Sequence, residues 1–408
     1  MRLLRSGSKE LIKEINRFKV LNLIRRQQPI SRAEIAKRCD LGVSTLSYIM
    51  DDLKSRDLIY EVGEANSTGG RRAKLLRFNK NYGTTMSIKI EEEQIMIAIT
   101  NMIGEILAIQ YTPFQKKASP ETVVDLIKRS VKQLLTEAGD DISDLLGIGI
   151  LSSGLVSLTD GRIIRSSMLG WENVPVKDML QDAFPKTQVF VDNNINGFTL
   201  AELENGEGKH SNHFLVVSIG AGIGLSVVID RKIYYGAFGG AGEFGHTSIQ
   251  VDGYPCHCGQ NGCLEMYASE FYFENRGREL LPDYPNSTLT RFRFADVAKA
   301  AEEKDELAVT LMKGMGRYLG YGLRNLINIF NPEKIIIVGE GVKYRHLFQD
   351  EVSQTAHDNF FEKVNIKTDV VFSTLQDEVW FTGGGLLAIN QIFQEPIYEN
   401  EPNLDERR

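Results

Sequence analysis

The sequence predicts an α/β protein headed by a winged helix-turn-helix. Three observations point that way. Within the first 80 residues, three helical segments are followed by two short strands of alternating character. Beyond Tyr82, strands alternate with helices, the pattern of an α/β sheet domain. The charge changes sign at the same place: residues 1–80 carry 18 Lys and Arg against 9 Asp and Glu, which leaves 29 against 45 for the remainder of the 408-residue chain. A basic head on an acidic body points to nucleic acid as the partner of the head. The plainer alternative is a basic surface without a ligand.

From Lys9 to Gln27, Leu11, Ile12, Ile15, Phe18, Leu21, Leu23 and Ile24 recur at the three-to-four spacing of one buried helix face. Pro29 ends that helix, and Ser31-Arg-Ala-Glu34 has the S-x-x-E form of a capping box that starts a second helix running to about Cys39. Asp40-Leu41-Gly42 supplies a tight turn. A third helix, about Ser44 to Arg56, buries Leu46, Ile49, Met50 and Leu53 and exposes Ser44, Thr45, Ser47 and Tyr48 near its start. Two short helices joined by a Gly-containing turn, the second with polar and aromatic groups at its N-terminus, have the geometry of a DNA-reading helix-turn-helix. Each of these four side chains can contact a base, cap the helix or pack. Leu58–Val62 and Lys74–Phe78 alternate as two strands of a wing, whose tip, Ser67-Thr-Gly-Gly-Arg71-Arg72, sets two guanidiniums on a flexible backbone suited to phosphate or the minor groove.

In the body, Thr84–Ile90, Gln94–Thr100 and Ile106–Tyr111 read as a meander, Pro120–Ala138 as a helix and Leu146–Leu151 as a buried strand. Later strands are expected at Gln188–Val191, Phe214–Ile219, Leu225–Ile229 and Lys334–Val338, and the polar segment 394–408 is expected to fray. No sequence repeat is visible, although duplicated lobes remain an alternative for the two halves of this region. The basic N-terminus is followed by no apolar h-region, and no run approaches the about 18 residues that span a bilayer. These features predict a cytoplasmic protein without membrane contact.

Four cysteines are too few for a disulfide scaffold in a chain of this length, and Cys256, Cys258 and Cys263 cluster in one short stretch. Cys39 stands apart as a small core residue. The run Cys256-His-Cys258-Gly-Gln-Asn-Gly-Cys263-Leu-Glu265, with His246 upstream, offers three thiolates and an imidazole for a structural Zn²⁺ of the Cys3His type. His257 is the rival for the fourth position, although its place between two ligands turns its ring away.

These segments carry a resemblance to the ROK family of repressors and sugar kinases, specifically its repressor branch of xylose and N-acetylglucosamine repressors. The resemblance rests on the wing tip Ser67–Arg72, on Gly240-Ala-Gly-Glu243-Phe-Gly-His246, on Cys256–Glu265 followed by Met266-Tyr-Ala-Ser-Glu270, and on Asn328-Ile-Phe-Asn-Pro332 before a strand. It covers essentially the whole chain. It implies an actin-like, ribonuclease H-like two-lobed sugar-kinase fold, dividing the chain into a head (1–80), a first lobe (81–195), a second lobe with the zinc module and a returning C-terminal helix (196–393), and a tail (394–408). It makes His246, Cys256, Cys258 and Cys263 the zinc ligands, and Asn193, Asn194, Glu243, His246 and Glu265 the sugar contacts. Carboxylates accept from vicinal hydroxyls while amides both donate and accept, which suits that role.

The departures from the kinases matter equally. Kinases of the family end the strand before the cleft in Asn-Asp, whose Asp is the general base; here the stretch is Val191-Asp192-Asn193-Asn194, and an amide cannot take that proton. Asp192 points to the opposite strand face. A phosphate-cradling Gly-rich turn is replaced by Ile88-Lys-Ile-Glu91-Glu92-Glu93, whose carboxylates repel polyphosphate, and Ser167-Met-Leu-Gly170-Trp171 stands where the family has Asn-Gly-Trp. The expectation is a non-enzymatic repressor of carbohydrate genes that binds operator DNA as a homodimer or tetramer and is released by a sugar, xylose first. The alternatives are a sugar kinase with residual activity and a regulator controlled by a protein partner.

Overall fold

The computed structural model describes residues 7–64, 74–139, 145–375 and 378–395. It forms two compact units, Met1–Ser153 with Thr159–Asp192 and Phe381–Arg408, and Gly154–Leu158 with Asn193–Trp380.

In the first unit the head consists of α1 (Lys9–Gln27), β1 (Ile30–Ser31), α2 (Arg32–Cys39), α3 (Val43–Ser55), β2 (Ile59–Glu64) and β3 (Lys74–Phe78), the strands ordered β1-β3-β2. The capping box forms as the sequence requires: Ser31 Oγ accepts from the Glu34 amide at 3.3 Å, and Glu34 Oε2 accepts from the Ser31 amide at 3.1 Å. Asp40, left-handed at φ 54°, closes α2, and α3 buries Leu46, Ile49, Met50 and Leu53. Helix α1 departs from expectation. Ile12 is exposed, whereas Val20 and Arg25 are buried. The reason is a second covering element: Arg25 donates to Asn390 Oδ1 at 2.6 Å, Asn22 donates to the Phe393 carbonyl at 2.9 Å, and Phe78 meets the Phe393 ring edge-on at 5.7 Å. Those partners sit at the end of the last helix of the chain.

The rest of this unit is a five-stranded sheet. Its strands are β4 (Thr84–Ile90), β5 (Gln94–Asn101), β6 (Ile106–Pro113), β7 (Leu145–Ser152) and, after the short β8 (Leu155–Val156), β9 (Ile163–Ser166), β10 (Trp171–Val174) and the helix α5 (Val176–Gln181), the strand β11 (Gln188–Asn193). The order is β11-β7-β4-β5-β6, with β4, β5 and β6 antiparallel and β4 parallel to β7. Helix α4 (Pro120–Ala138) is capped by Ser119, opens on a proline, ends on left-handed Gly139 and buries Val123, Ile127, Val131 and Leu134. On β4 nearly every residue is buried, as expected for a central strand covered on both faces.

The second unit repeats the arrangement. It contains α6 (Asn194–Asn205), β12 (Phe214–Ile219), β13 (Ile223–Ile229), β14 (Lys232–Ile233), α7 (Glu265–Ala268), α8 (Glu270–Leu280), α9 (Phe294–Glu302), α10 (Glu306–Phe330), β15 (Lys334–Val338), α11 (Gln349–His357) and β16 (Asp369–Phe372). The order β14-β13-β12-β15-β16, with β12 antiparallel to β13 and parallel to β15, is the same 3-2-1-4-5 order as in the first sheet. The two halves are therefore duplicated in topology, without any repeat in sequence. The final helix α12 (Val379–Ile392) starts in this unit and continues into the first. There it packs so tightly on the sheet that a Cβ at Gly149 of β7 would lie 2.0 Å from the Gly384 carbonyl oxygen. Gly149→Ala is expected to cost about 3 kcal/mol through overpacking, read as a lowered Tm with the fold of the second unit unchanged. No helix among the described residues is long and apolar enough to cross a membrane.

Candidate functional site

The cysteine module follows a short 3-10 turn, Phe244–His246, in the chain beyond β14. Isolated bridges Ser248–Cys263 and Pro255–Asn261 fold it on itself, and the Cys256 amide donates to the Gln260 carbonyl at 2.8 Å. Gly262 adopts φ 71° and passes so close to its neighbour that a Cβ there would lie 1.7 Å from the Gln250 carbonyl oxygen. This crossing brings His246, Cys256, Cys258 and Cys263 together, their donor atoms all within 4.8 Å of one another. Cys258 Sγ and Cys263 Sγ are 3.7 Å apart, and Cys256 Sγ lies 3.5 Å from His246 Nδ1. Ligand bonds of about 2.3 Å in a tetrahedron give edges of about 3.8 Å, so the set fits a tetrahedral metal and is far too open for a disulfide. Burial pushes the Cys263 thiol up to about 12, so metal capture must displace its proton.

The same histidine links this cluster to the carboxylates. With Nδ1 facing the thiols, His246 Nε2 lies 3.9 Å from Glu243 Oε2. Glu265, at the first position of α7, is buried, and both its oxygens are used: Oε2 accepts from the Ile223 amide at 3.0 Å and Oε1 from His257 Nε2 at 2.6 Å. His246, His257 and Glu265 can in turn bring one atom each within 4.8 Å. His257 thus turns away from the cysteines and towards the carboxylate, a role that its place between two ligands does not reveal.

The two asparagines at the end of β11 differ. Asn193 is the N-cap of α6, its Oδ1 accepting from the Ile195 amide at 3.0 Å and its Nδ2 donating to the Gly154 carbonyl at 2.6 Å. Asn194 Oδ1 is buried without a hydrogen-bond partner in the chain. Buried acceptors are nearly always satisfied, so an orphan one marks a place for a ligand or ordered water.

The expected repulsion of polyphosphate by the turn after β4 is offset in part, because Lys89 pairs with Glu91 at 2.6 Å and Lys116 with Glu92 at 2.7 Å. A second feature does oppose a bound polyphosphate. In the Gly-rich turn Gly220–Gly224, the Ala221 amide donates to Glu340 Oε1 at 2.7 Å, and a Cβ at Gly220 would lie 2.4 Å from Glu340 Cγ. A carboxylate of the chain itself therefore fills the turn. Nothing local in the sequence marks Glu340, which lies 119 residues away from Ala221.

On the head, Ser44, Thr45 and Tyr48 are exposed and Ser47 is half-buried, all in the first turns of α3. Gly42, the N-cap of α3, makes no side-chain cap bond, so none of these hydroxyls serves as the cap. Arg71 and Arg72 lie outside the described residues.

The chain matches the ROK family over residues 85–391 and a winged helix-turn-helix DNA-binding family over residues 13–60. It is 31% identical over 404 residues to a xylose repressor of Caldicellulosiruptor bescii, covering 96% of this chain and 100% of that protein. Among solved structures, a ROK family transcriptional regulator described as a homologue of the Escherichia coli MLC protein superposes with a TM-score of 0.83 at 25% identity, covering 97% and 99% of the two chains. A ROK glucokinase of Streptomyces griseus, solved with glucose and AMPPNP, covers 75% of this chain and 99% of its own with a TM-score of 0.63 at 24% identity, a likeness of fold.

Proposed function

Since the chain belongs to the ROK family, we propose that it is a sugar-responsive repressor of carbohydrate genes that binds operator DNA as a dimer, holds zinc on His246, Cys256, Cys258 and Cys263, and does not phosphorylate its sugar. The observation that carries this reading is Asn194, whose buried and unpartnered Oδ1 can accept from a sugar hydroxyl while its amide cannot take the proton away. The filling of the Gly-rich turn by Glu340 weighs against a kinase in the same direction. Glu243, His246 and Glu265 complete the proposed sugar contacts, and xylose is the first candidate because the relative cited above is named for it. The zinc would act by stapling the segments that carry the two carboxylates, with no activated water.

A route from sugar to head supports induction. Helix α6 starts at Asn194, its Phe198 packs edge-on against Trp380 with ring centroids 4.0 Å apart, and Trp380 opens α12, whose far end holds Asn390 and Phe393 against α1. A sugar that prefers one setting of α6 would bias α12 and with it the recognition helices, which must lie about one turn of DNA apart in the dimer.

Fluorescence anisotropy on DNA from upstream of the protein's own gene, at two salt concentrations, tests the proposal. Xylose should release a steeply salt-dependent complex, with glucose and N-acetylglucosamine weaker. Tyr48→Ala should weaken operator binding about tenfold or more without moving Tm, because the residue is 62% exposed. A complex that none of the three sugars disturbs would sink the direct-inducer reading.

A further inference from the structure

The second unit contains a cavity of about 850 Å³ walled by α7, α8, α10 and the loop from Ile249 to Tyr254. Its size falls in the range of small-molecule sites. Tyr254, Tyr267, Tyr318 and Tyr272 form a continuous run of rings, with successive centroids 5.1, 4.9 and 5.8 Å apart, and Tyr321 continues the wall one turn along α10. The rings are held in place. Tyr267 Oη accepts from the Tyr254 amide at 2.8 Å, and Gly314 leaves a gap so small that a Cβ there would lie 2.3 Å from Tyr272 Oη.

Three guanidiniums share this wall, and no Asp or Glu lines it among the described residues. Arg276 pairs with Glu279 at 2.8 Å, and Arg324 lies 4.8 Å above the Tyr321 ring with Asp358 3.5 Å away. Arg317, one helical repeat before Arg324 on the same face of α10, is exposed and has no hydrogen bond or carboxylate partner among the described residues. Glu279 and Asp358 thus balance two of the three guanidiniums, Glu279 also taking the Tyr254 hydroxyl, and Arg317 is left as the cation available to an anion in this concave wall. Guanidinium forks match phosphate oxygens in pairs, and fixed phenol rings offer flat faces for a sugar or base ring together with hydroxyls for its polar edge.

We propose that this cavity is a second small-molecule site, separate from Asn194, Glu243 and Glu265, that takes a phosphate monoester carried on a ring. A sugar phosphate and a nucleoside monophosphate share that chemistry.

Isothermal titration of the full-length protein with glucose 6-phosphate and with AMP separates the two sources, with glucose, adenosine and inorganic phosphate as the fragments. One ester should bind saturably, its phosphate-free counterpart and inorganic phosphate at least tenfold more weakly, and Arg317→Gln should weaken the ester about tenfold. Tyr321→Ala, at a half-buried position of the same wall, should weaken it as well. Glu243→Gln, which alters the proposed inducer site, should leave ester binding unchanged, so that failure of the inducer reading leaves this test intact. Absence of saturation by both esters up to about 10 mM, equal binding to wild type and Arg317→Gln, or loss of ester binding in Glu243→Gln would overturn the proposal.

Discussion

Stripping the metal with a chelator, or replacing Cys263 with serine, is expected to lower Tm by about 10 °C or more and to abolish sugar release while operator binding persists. The size follows from the module itself. Structural zinc contributes about 10 kcal/mol of apparent binding energy in small domains, and a loss of only several kcal/mol moves Tm by that amount in a unit of this size. Cys263 is fully buried beside Cys258, and without a cation three thiols and an imidazole remain crowded within 4.8 Å of one another. The segments released are those bearing Glu243 and Glu265, whereas the head belongs to the other compact unit. Cys39→Ser serves as the control, since Cys39 lies in the head and is not part of the cluster. Metal analysis should find one zinc per wild-type chain and none in Cys263→Ser. A chelated protein with unchanged Tm and an intact sugar response would refute the role given to the cluster.

Glu265→Gln is expected to produce a repressor that no longer responds to sugar. Both carboxylate oxygens accept hydrogen bonds, from the Ile223 amide and from His257, and the lone pairs left over are what a sugar hydroxyl would meet. Glutamine has one oxygen and one NH2, so with its oxygen on the Ile223 amide it can meet His257 only if that ring changes tautomer and accepts. Losing a charge-assisted bond and misorienting its neighbour costs about 3 kcal/mol, which corresponds to roughly 100-fold in sugar affinity. Titration of sugar into protein measures this directly, and anisotropy on the operator should show wild-type affinity without sugar. Unaltered sugar binding in Glu265→Gln would remove this residue from the site. Weakened operator binding in the absence of sugar would show that the residue acts through the fold.

Much of the local structure was legible because it depends on residues close in sequence. The S-x-x-E pattern at Ser31 forms the capping box, and the spacing of Leu46, Ile49, Met50 and Leu53 names the buried face of α3. Phe214–Ile219 and Lys334–Val338 are strands from end to end. Helix α1 shows where such reasoning stops. The periodicity placed Ile12 inside and had no reason to bury Arg25, because Asn390 and Phe393, which cover that side, are more than 360 residues away. The duplicated lobes that the sequence left open are decided by the two sheets, which share a strand order and not a sequence pattern.

At the candidate site, chain spacing was enough to single out the cysteine group, since tight turns between Cys256 and Cys263 leave the thiols little room to diverge. Which way each neighbouring polar group points is a different kind of question. His257 turning to Glu265, Asn193 spent on capping α6 while Asn194 keeps an orphan oxygen, and Glu340 occupying the Gly220–Gly224 turn are all settled by contacts across the fold. The cavity beside α10 belongs to the same class, built from tyrosines and arginines that read separately as ordinary core and surface positions. By itself, then, the sequence determined the kind of protein: a basic reading head, an α/β body and a metal-type cluster, each encoded by short-range pattern and composition. Only the tertiary structure decided which side chains remain unsatisfied and therefore available, because hydrogen-bond partners are allotted by packing between distant segments.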